Sequence, residues 1–377
     1  MPTVLIIGSG FFGATVAERC ASAYGCRVII LEKRDHIGGN SFSAPCPESG
    51  IEVHRYGSHI FHTHFPDVWS YAKRFTEFND YRHTVWIRHR NRIYPMPVNL
   101  ATINTFYGTA MSPPEARLLL DREIAATGIT QPRNLEEMAL SLIGRPLYEA
   151  FIRDYTLKQW GEDPTRLPAD IIARLPVRLN YNLRYYNDPL QGIPAEGYGR
   201  MISRMLDHPA IEVRLNSDYL RLRSQLPAHD QLVYTGPIDR FFDCAFGPLG
   251  WRNVRFERQV LPTEDYQGTA VINMADPDAP FTRVHEYKHY TPERSFPGRT
   301  VVDHEYAGTS GPDEEPYYPM RTETDGRRLQ QYQAEANRLM PRVHFGGRLG
   351  SYQYLDMDDA IAAGLACAEC IRQSLKN

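Results

Sequence analysis

Long apolar runs, internal repeats and a strong charge of either sign are all missing from this sequence of 377 residues. No stretch approaches the ~20 apolar residues that a membrane-spanning helix needs, so no membrane span is expected. The 42 basic and 45 acidic residues leave a formal charge of -3, which gives no electrostatic footprint for nucleic acid. The first strand-like run begins at Thr3 and leaves no room for a secretory signal peptide, so we expect a cytoplasmic protein.

Cysteine is also scarce, with six in the whole chain. Cys367 and Cys370 form a C-x-x-C pair, but neither a second pair nor a histidine cluster at ligand spacing accompanies them. A structural zinc site needs such a second set of ligands, so no metal is expected. Scattered thiols are typical of proteins in a reducing cytoplasm.

The sequence does have a glycine motif, which follows its first strand-like run, Thr3 to Ile7. Gly8, Gly10 and Gly13 have the spacing G-x-G-x-x-G, and a helical pattern begins directly after them. In a dinucleotide-binding βαβ unit the first glycine permits a tight turn, the second lets backbone amides approach a pyrophosphate, and the third lets helix and strand pack closely. We therefore predict such a unit at the N-terminus.

The residues around the second predicted strand indicate which dinucleotide is bound. That strand, Arg27 to Leu31, ends at Glu32, whose carboxylate is placed to accept hydrogen bonds from a ribose. Gly38, Gly39 and Asn40 follow shortly after, and a glycine pair leaves room for a further part of an extended cofactor, which suits FAD better than NAD. Such pairs are also common in ordinary turns. Together with the first glycines, the stretch resembles the FAD-binding signature of flavoprotein oxidoreductases.

The rest of the chain alternates between helical and strand-like patterns. A hairpin is predicted around Arg90 and Asn91, helical periodicity extends from Leu100 to Ile172, and strand-like runs return after it. We predict an α/β fold: a Rossmann-like FAD-binding domain with an inserted helical domain and an antiparallel β-sheet domain. The predicted segments are 1–78, 192–245 and 325–377 for the FAD-binding domain, 99–175 for the helical domain with a mobile lid near 164–178, and 79–98, 176–191 and 246–324 for the sheet domain.

Seven further motifs are specific when taken together. They are YGSHIFHT, YTLKQWG, ARLPVR, YYNDPLQGIPAEGYG, TRVHEYKH, EEPYYPM and FGGRLGSYQYLDMD. Through them the sequence resembles the bacterial UDP-galactopyranose mutases over essentially its whole length. One departure is visible, because the family often has proline where this chain has Ser58. We expect that change to alter the stiffness of the loop without removing His59.

The resemblance implies an isomerase that interconverts UDP-galactopyranose and UDP-galactofuranose. The reaction has no net oxidation yet requires reduced FAD, whose N5 attacks the anomeric carbon as UDP departs. The product is expected to supply galactofuranose for cell-surface glycans. The expected partners are the two UDP sugars, NAD(P)H or another reductant for the flavin, and further copies of the chain in a homodimer or higher homo-oligomer, with no nucleic acid and no membrane.

The resemblance also assigns three catalytic residues. Arg174 and Arg283 are expected to hold the pyrophosphate, since a guanidinium fork can donate two parallel hydrogen bonds to phosphate oxygens. His59 is expected beside the flavin. Arg174 lies between Pro168 and Pro176, so we expect it on a lid that moves when substrate binds.

The substrate-binding residues that the resemblance implies are aromatic apart from one carboxylate. Phe151 and Tyr155 are expected to form the uracil slot, with Tyr155 stacked on the base, although helical periodicity alone would make both core residues. Trp160 is expected nearer the sugar and the lid. Asp356 could hold either a ribityl hydroxyl or the sugar. The tyrosines expected to complete the phosphate site are Tyr185, Tyr318 and Tyr354.

The FAD-binding residues implied in the same way come from both ends of the chain. His59 is preferred to His62 as the histidine beside the flavin, although either could be a structural histidine that donates to a backbone carbonyl. The implied set is Gly8, Gly10, Phe12, Gly13, Glu32, Lys33, Gly39, Asn40, His59, Ile60, Gly347, Arg348, Asp356 and Met357.

Two other classes of protein share part of this pattern. A flavin oxidase or dehydrogenase of the amine-oxidase kind would have the same FAD-binding unit, but it would not explain arginines and tyrosines that suit a diphosphate. A non-catalytic sensor of nucleotide sugars or redox state would bind FAD and UDP without needing a reduced flavin. Turnover with and without dithionite separates the three classes, because only a mutase depends on the reduced flavin.

Overall fold

The structure, a computed structural model, describes residues 1–173, 176–309, 311 and 314–376. Its strands are β1 (Thr3–Ile7), β2 (Arg27–Leu31), β3 (Ser43–Pro45), β4 (Glu52–His54), β5 (Phe61–Thr63), β6 (Val85–His89), β7 (Arg92–Met96), β8 (Leu190–Gly192), β9 (Ile211–Arg214), β10 (Gln231–Tyr234), β11 (Trp251–Leu261), β12 (Val271–Met274), β13 (Arg283–Glu286), β14 (Thr300–Thr309), β15 (Tyr318–Pro319) and β16 (Val343–Phe345). Its α-helices are α1 (Phe11–Ser22), α2 (Pro66–Ala72), α3 (Leu100–Tyr107), α4 (Pro113–Ala125), α5 (Leu135–Tyr148), α6 (Asp154–Trp160), α7 (Asp170–Ala173), α8 (Gly197–Leu206), α9 (Tyr219–Leu222), α10 (Ile238–Phe241), α11 (Glu323–Leu339), α12 (Gly347–Ser351) and α13 (Met357–Ser374).

Five strands from distant parts of the chain form a parallel sheet in the order β16-β10-β1-β2-β9. The register aligns Ile6 with Ile30 on one side and with Val233 on the other, and all three side chains are fully buried. Strands buried on both faces need continuous apolar sequences, and TVLII and RVIIL supply them. On one face these side chains share a core with α1 and α13, so the N-terminal and C-terminal helices cover the same side of the sheet.

The turn from β1 into α1 depends on glycine at two points. Gly8 has a φ of 98°, in the left-handed region that favours glycine. A Cβ at Gly13 would lie 2.1 Å from the carbonyl oxygen of Gly8, so the helix can approach the strand this closely only without a side chain there. The N-cap, Gly10, provides no side-chain cap. The first amides of α1 are therefore open to the end of the sheet.

A second sheet has seven strands in the order β15-β11-β14-β13-β12-β6-β7. Its neighbouring strands pair antiparallel, except for the parallel pair of β12 and β6. β6 and β7 form a hairpin, and its turn residues Arg90 and Asn91 both have positive φ. The register of β13 with β14 aligns Arg283 with Glu305. This pairing brings together charged side chains that are far apart in the sequence.

The helices between β7 and β8 begin with side-chain caps. Asn99 and Ser112 form capping boxes at α3 and α4, and Asn134 caps α5. Apolar residues of these helices share a core with the hairpin of β6 and β7. A π-helix, Glu149–Arg153, joins α5 to α6. Such π-turns are frequent at functional sites, and this one ends two residues before Tyr155.

The predicted fold class is confirmed, since a Rossmann-like parallel sheet is combined with a largely antiparallel sheet and a set of helices. The proposed boundaries of the three domains stay predictions. Two details differ from the sequence patterns: the backbone widens into a π-turn at Glu149–Arg153, and the glycine loop after β16 contains the short helix α12. Over the ranges described, we find no helix with the length and apolar character needed to cross a bilayer.

Candidate active site

A groove runs along the carboxyl ends of β1, β2 and β10, where Ile7, Leu31 and Tyr234 line it. Ligands of open α/β sheets bind at this edge. Of the residues predicted for FAD, Ile60 lines an adjoining cavity instead of the groove. The predicted residues that line the groove are Gly8, Gly10, Phe12, Gly13, Glu32, Lys33, Gly39, Asn40, His59, Gly347, Arg348, Asp356 and Met357.

Glu32 is a fixed acceptor in this groove and is 4% exposed. Its carboxylate accepts from the amide and the hydroxyl of Ser9, at 3.0 and 2.7 Å, and from the amide of Arg34 at 3.0 Å. A carboxylate has about four acceptor sites, so it can still accept from a ribose hydroxyl. The geometry therefore suits the diol of a bound nucleotide.

Two long helices begin at the groove. α1 presents amides without a side-chain cap after Gly10, and α13 begins at Met357 with Asp356 as its N-cap. The N-terminus of α1 combines partial positive charge with unpaired amides, which favours phosphate, whereas α13 has a capping box and carboxylates at Asp358 and Asp359 in its first turn. The groove thus combines an acceptor for ribose with donors for pyrophosphate, as a dinucleotide requires.

A second cavity adjoins the groove, and the two share five lining residues. The shared residues are Asn40, His59, Arg348, Asp356 and Met357. Three of the residues predicted for substrate, Arg283, Tyr318 and Tyr354, also line the second cavity. A cofactor that extends along the groove would therefore end beside the predicted substrate residues.

Arg283 lies on β13 and is paired with Glu305 on β14. Nη1 of Arg283 donates to Oε1 of Glu305 at 3.1 Å, and the guanidinium carbon lies 5.8 Å from the centroid of the Tyr155 ring. Burial opposes ionisation of Glu305, but Arg283 and a hydrogen bond from His285 outweigh it and lower the pKa of Glu305 to about 2. Arg283 is 29% exposed on its side chain and lines the second cavity, so part of the guanidinium can meet a ligand.

Tyr318 and Tyr354 form a wall of the second cavity together with Arg348. The two rings are 5.8 Å apart and inclined by 20°, and the guanidinium carbon of Arg348 lies 4.7 Å from the centre of the Tyr354 ring. Burial raises the pKa of Tyr318 to about 12, so its hydroxyl keeps its proton at neutral pH and can donate. Trp160 lies beside the wall, with its ring 6.4 Å from that of Tyr318.

Two other predicted substrate residues lie behind the cavity surface. Tyr185 packs edge-on against Tyr186, which lines the cavity, with ring centroids 5.0 Å apart. Phe151 is 1% exposed, and its ring packs against Tyr94 and Phe106 at 5.0 and 5.5 Å. Phe151 thus occupies the core position that helical periodicity alone predicts, and the structure does not bring its ring to the cavity.

The two histidines of the HIFH motif have different places. His59 lines both cavities, whereas His62 lines the second. Nδ1 of His59 lies 2.7 Å from the carbonyl oxygen of Gly57, and burial lowers the pKa of His59 to about 4. The ring is therefore neutral at pH 7, with Nδ1 donating to Gly57 and Nε2 left as an acceptor. Nδ1 of His62 lies 2.6 Å from a carboxylate oxygen of Asp188.

Asn273 is a buried polar residue beside Arg283 that has no signal in the sequence. Strand pairing aligns it with Arg283, and its Oδ1 is buried without a hydrogen-bond partner among the described residues. The hydroxyl of Tyr155 is buried in the same way. Buried polar atoms are nearly always satisfied in folded proteins. Both atoms are therefore candidates for contacts with a ligand, and only knowledge of the β12–β13 register could have identified Asn273.

A lysine ties the helix of Tyr155 to the loop that precedes Arg283. Nζ of Lys158 contacts four backbone carbonyl oxygens, those of Met274, Asp276, Ala279 and Phe281, at 2.7, 2.7, 3.1 and 3.4 Å. Burial lowers the pKa of Lys158 to about 8. The ammonium provides hydrogen-bond donors for carbonyl groups at the end of β12 and in the loop that follows it.

Arg174, the predicted lid arginine, lies outside the described residues. The segment just before it ends in α7, whose Asp170 forms an ion pair with Arg321. Arg321 follows Tyr318 by three residues. This ion pair joins the predicted lid to the chain segment that carries one wall of the cavity.

One group of described residues has the spacing of metal ligands: Asp265, Glu286 and His289 have ligand atoms within 4.8 Å of one another. The Glu286 carboxylate already accepts from two backbone amides, at 3.0 and 2.9 Å, and from the hydroxyl of Thr300 at 2.7 Å. The ammonium of Lys288 lies 3.3 Å from Asp265. These hydrogen bonds and the ion pair explain the group as a set of contacts that holds the loop before β12 in place.

The fold and the joined cavities define the class of protein, a Rossmann-type dinucleotide-binding enzyme. A family model described as an NAD(P)-binding Rossmann-like domain matches residues 6–75, and one described as UDP-galactopyranose mutase matches residues 150–354. A Klebsiella pneumoniae protein named "Probable UDP-galactopyranose mutase" is 41% identical over 374 residues, which cover 99% of this chain and 96% of that protein. The chain therefore belongs to the UDP-galactopyranose mutase family, whose enzymes are isomerases.

Two further comparisons are with a related mutase and with a solved structure. The dTDP-fucopyranose mutase of Escherichia coli is 39% identical over 373 residues, which cover 98% of each chain. A crystal structure of reduced UDP-galactopyranose mutase has a TM-score of 0.75 over 99% of this chain and 96% of that chain, at 19% identity. At this sequence identity, the structural match shows that the two chains share a fold. Family membership confirms the predicted family and the predicted class of enzyme.

Proposed function

We propose that the protein interconverts UDP-galactopyranose and UDP-galactofuranose with the help of bound, reduced FAD. The observation that carries the proposal is the junction of the two cavities at His59 and Met357, where a groove suited to a dinucleotide meets a cavity lined by Arg283 and tyrosines. An oxidase of small amines has no use for diphosphate-binding groups beside its flavin. Family membership supports the same class of substrate.

FAD fits the groove because Glu32 offers a fixed acceptor and α1 offers amides without a side-chain cap. When it is bound and reduced, FAD supplies a nucleophilic nitrogen for the anomeric carbon of the sugar. The protein must hold this cofactor, orient the sugar against it and keep water out. His59 suits the flavin end, since its neutral ring presents Nε2 as an acceptor.

Arg283 would bind the diphosphate together with the lid residue Arg174. A charge-assisted hydrogen bond contributes about 1.5 to 3 kcal/mol net, so two arginines can hold a pyrophosphate as it leaves the sugar. Tyr318 supports this role with a hydroxyl that stays protonated at neutral pH. Tyr354 stacks on Tyr318. Tyr185, which lies behind the cavity surface, would complete the group of phosphate-binding tyrosines.

The uracil would stack on Tyr155, whose ring lies under the guanidinium of Arg283. Trp160 would border the sugar, and Asp356 would contact either the sugar or the ribityl chain, since it lines both cavities. A proton of a sugar hydroxyl could be held at Nε2 of His62, because Asp188 hydrogen-bonds to Nδ1 and orients the ring.

The remaining parts of the proposal rest on the family. The lid near 164–178 would bring Arg174 to the diphosphate when substrate binds. NAD(P)H or another reductant would reduce the flavin, the enzyme would act in the cytoplasm as a homodimer or larger homo-oligomer, and its product would enter cell-surface glycans.

The test is turnover of UDP-galactofuranose by the FAD-loaded protein with and without dithionite, followed by chromatography of the nucleotide sugars. We expect product only with the reduced flavin. Arg283→Lys should lose most of the turnover, because an ammonium cannot reproduce the planar fork. The matched control is Arg258→Lys, since Arg258 pairs with Asp303 on the same sheet and does not line the second cavity. Oxygen consumption without dithionite, and no isomerisation with it, would contradict the proposal.

The cofactor's role has its own test. Reconstitution with 5-deaza-FAD keeps hydride chemistry but removes the nitrogen lone pair, so isomerisation should cease. Full activity with the deaza cofactor would refute nucleophilic catalysis even if the protein is a mutase.

A dTDP sugar is the second candidate substrate, and the observation in its favour is the 39% identity to dTDP-fucopyranose mutase over 98% of both chains. The two substrates differ at the base, at the ribose 2′ position and at C6 of the sugar. Parallel assays with UDP-galactose and dTDP-fucose decide between them by kcat/KM. A preference for dTDP-fucose would replace the substrate in our proposal and keep the class of reaction.

A further inference from the structure

Four polar side chains form a continuous hydrogen-bonded chain from the HIFH loop to Arg283. Oγ of Ser58 lies 2.5 Å from Nδ1 of His285, and Nε2 of His285 lies 2.9 Å from Oε2 of Glu305. Oε1 of Glu305 accepts from Nη1 of Arg283 at 3.1 Å. The hydroxyl of Tyr290 donates to Oγ of Ser58 at the other end. His285 and Glu305 are 1% and 2% exposed on their side chains, and Ser58, Glu305 and Arg283 also line the second cavity.

The Glu305 carboxylate fixes the direction of its hydrogen bond with His285, and for a neutral ring this also fixes the direction of the hydrogen bond with Ser58. Glu305 has a pKa of about 2 and is a carboxylate at neutral pH, so Nε2 of His285 must donate to it. In a neutral imidazole Nδ1 is then the acceptor, and the Ser58 hydroxyl donates to it. Loss of that hydroxyl would leave Nδ1 buried without a donor. The other tautomer would bring a lone pair of His285 against the Glu305 carboxylate.

The chain ends on two functional features. At one end Glu305 holds the guanidinium of Arg283 at the second cavity. At the other end Ser58 is bonded through the backbone to His59, which lines both the groove and the second cavity.

We propose that Ser58 and His285 are positioning residues that hold Arg283 for a diphosphate through Glu305 and transmit its occupancy to the flavin through His59. This inference rests on the proposed function, which assigns Arg283 to the diphosphate. When a diphosphate binds, Arg283 shares its donors between phosphate oxygens and Glu305. The weaker hydrogen bond from Arg283 to Glu305 alters the hydrogen bond between Glu305 and His285, and then the one between His285 and Ser58. The backbone of the loop that contacts the cofactor groove shifts as a result.

A neighbouring network provides a matched control. The hydroxyl of Tyr287 donates to Asp303 at 2.8 Å, and Asp303 accepts two hydrogen bonds from Arg258 at 2.9 and 2.7 Å. Asp303 is fully buried on the same strand as Glu305. This network resembles the first one in burial and charge, but Arg258 does not line the second cavity. The hydroxyl of Tyr287 also donates to the carbonyl oxygen of His54 at 3.0 Å. Tyr287→Phe therefore removes a buried hydroxyl and leaves the Arg283–Glu305 pair in place.

The experiment measures dissociation constants of the FAD-loaded protein for UDP and inorganic pyrophosphate, together with the change in flavin absorbance on saturation. Ser58→Ala should raise both dissociation constants about 3- to 10-fold, the effect of one or two lost hydrogen bonds, and should abolish most of the absorbance change. Ser58→Thr keeps the hydroxyl and should restore both readouts to within about 2-fold of the wild type. Tyr287→Phe should lower the melting temperature and leave both readouts unchanged. His285→Asn, whose amide can reach only one of the two partners, should behave like Ser58→Ala.

Several results would overturn the inference. They are a Ser58→Ala protein that matches the wild type in both readouts, one that loses FAD, or equal changes in Ser58→Ala and Tyr287→Phe. A wild-type protein that binds neither UDP nor pyrophosphate would overturn the inference together with the role of Arg283. A wild-type protein that binds pyrophosphate but isomerises no nucleotide sugar would refute the proposed function alone, and the pyrophosphate series would still decide the inference.

Discussion

Removing the cation of the Arg283–Glu305 pair should destabilise the protein in a pH-dependent way. The pKa of Glu305 lies at about 2 where 4.5 is ordinary, and at about 1.4 kcal/mol per pH unit this difference corresponds to about 3 kcal/mol of stability. Glu305 is 2% exposed, so solvent screens little of this interaction. In Arg283→Met the carboxylate stays buried without its main partner, and we expect the free energy of unfolding at pH 7 to fall by about 3 kcal/mol.

The dependence on pH distinguishes lost charge pairing from lost packing. In the wild type the folded-state pKa is depressed, so the stabilisation is present above about pH 4.5 and is lost as the pH falls toward 2. In Arg283→Met the buried carboxylate keeps the hydrogen bond from His285 but loses the cation, so we expect its pKa to rise and stability to be lost as the pH rises above about 4.5. The deficit of the variant should therefore be larger at pH 7 than at pH 5.

Urea unfolding at the two pH values, followed by circular dichroism, measures these differences. The double variant Arg283→Met with Glu305→Gln replaces the charged pair by neutral groups and should recover most of the loss. Arg327→Met is the surface control, since Arg327 pairs with an exposed Glu323 and should cost less than about 1 kcal/mol. A deficit of Arg283→Met that is equal at both pH values, or a double variant no more stable than the single one, would refute the reasoning.

Three further outcomes are expected. Arg174→Ala should retain FAD, measured by the flavin absorbance of the purified protein, while turnover falls severely; loss of FAD would place Arg174 at the cofactor instead. Tyr155→Ala should weaken UDP and UMP alike, by about 1 to 3 kcal/mol in calorimetry, because the lost contact is to the base; an effect on UDP alone would make Tyr155 a phosphate ligand. Glu32→Gln should keep the shape of the side chain but lower FAD retention during gel filtration, since an amide is a weaker acceptor for the ribose; retention equal to the wild type would contradict the role of Glu32.

The cofactor groove could be predicted from the sequence because its determinants are local. Gly8, Gly10 and Gly13 lie close together in the sequence, and the G-x-G-x-x-G spacing indicates why each position needs a glycine. Glu32 follows at the end of the next strand. Such short-range geometry is the same wherever the pattern occurs, so the sequence predicts both the strand edge and the type of ligand.

The hydrogen-bonded chain that ends on Arg283 could not be predicted, because the register of the strands brings its side chains together. Ser58 and His285 are 227 residues apart in sequence, and His285 and Glu305 are 20 apart. No periodicity in the sequence states that β13 and β14 align Arg283 with Glu305. The same holds for Asn273, whose partner strand lies beyond a loop. The resemblance to a family supplied Arg283 but none of the side chains that hold it.

Phe151 is a residue for which the resemblance and the helical periodicity predict different roles. The family pattern assigns its position to the uracil slot, and that role stays a prediction. In the structure the ring packs against Tyr94 and Phe106. The buried position is the one that helical periodicity alone predicts, although the backbone forms a π-helix at Glu149–Arg153.

The contacts of Lys158 limit how this site can be redesigned. Its ammonium joins the helix that carries Tyr155 to the loop between β12 and β13, which leads into Arg283. A chimaera that imports α6 from a relative with another base preference would bring a lysine whose acceptors belong to the old loop, or would leave four carbonyl groups without their donor. The helix and the loop from Met274 to Phe281 therefore have to be transplanted as one unit, and α6 cannot be exchanged independently of the loop that leads into the strand of Arg283.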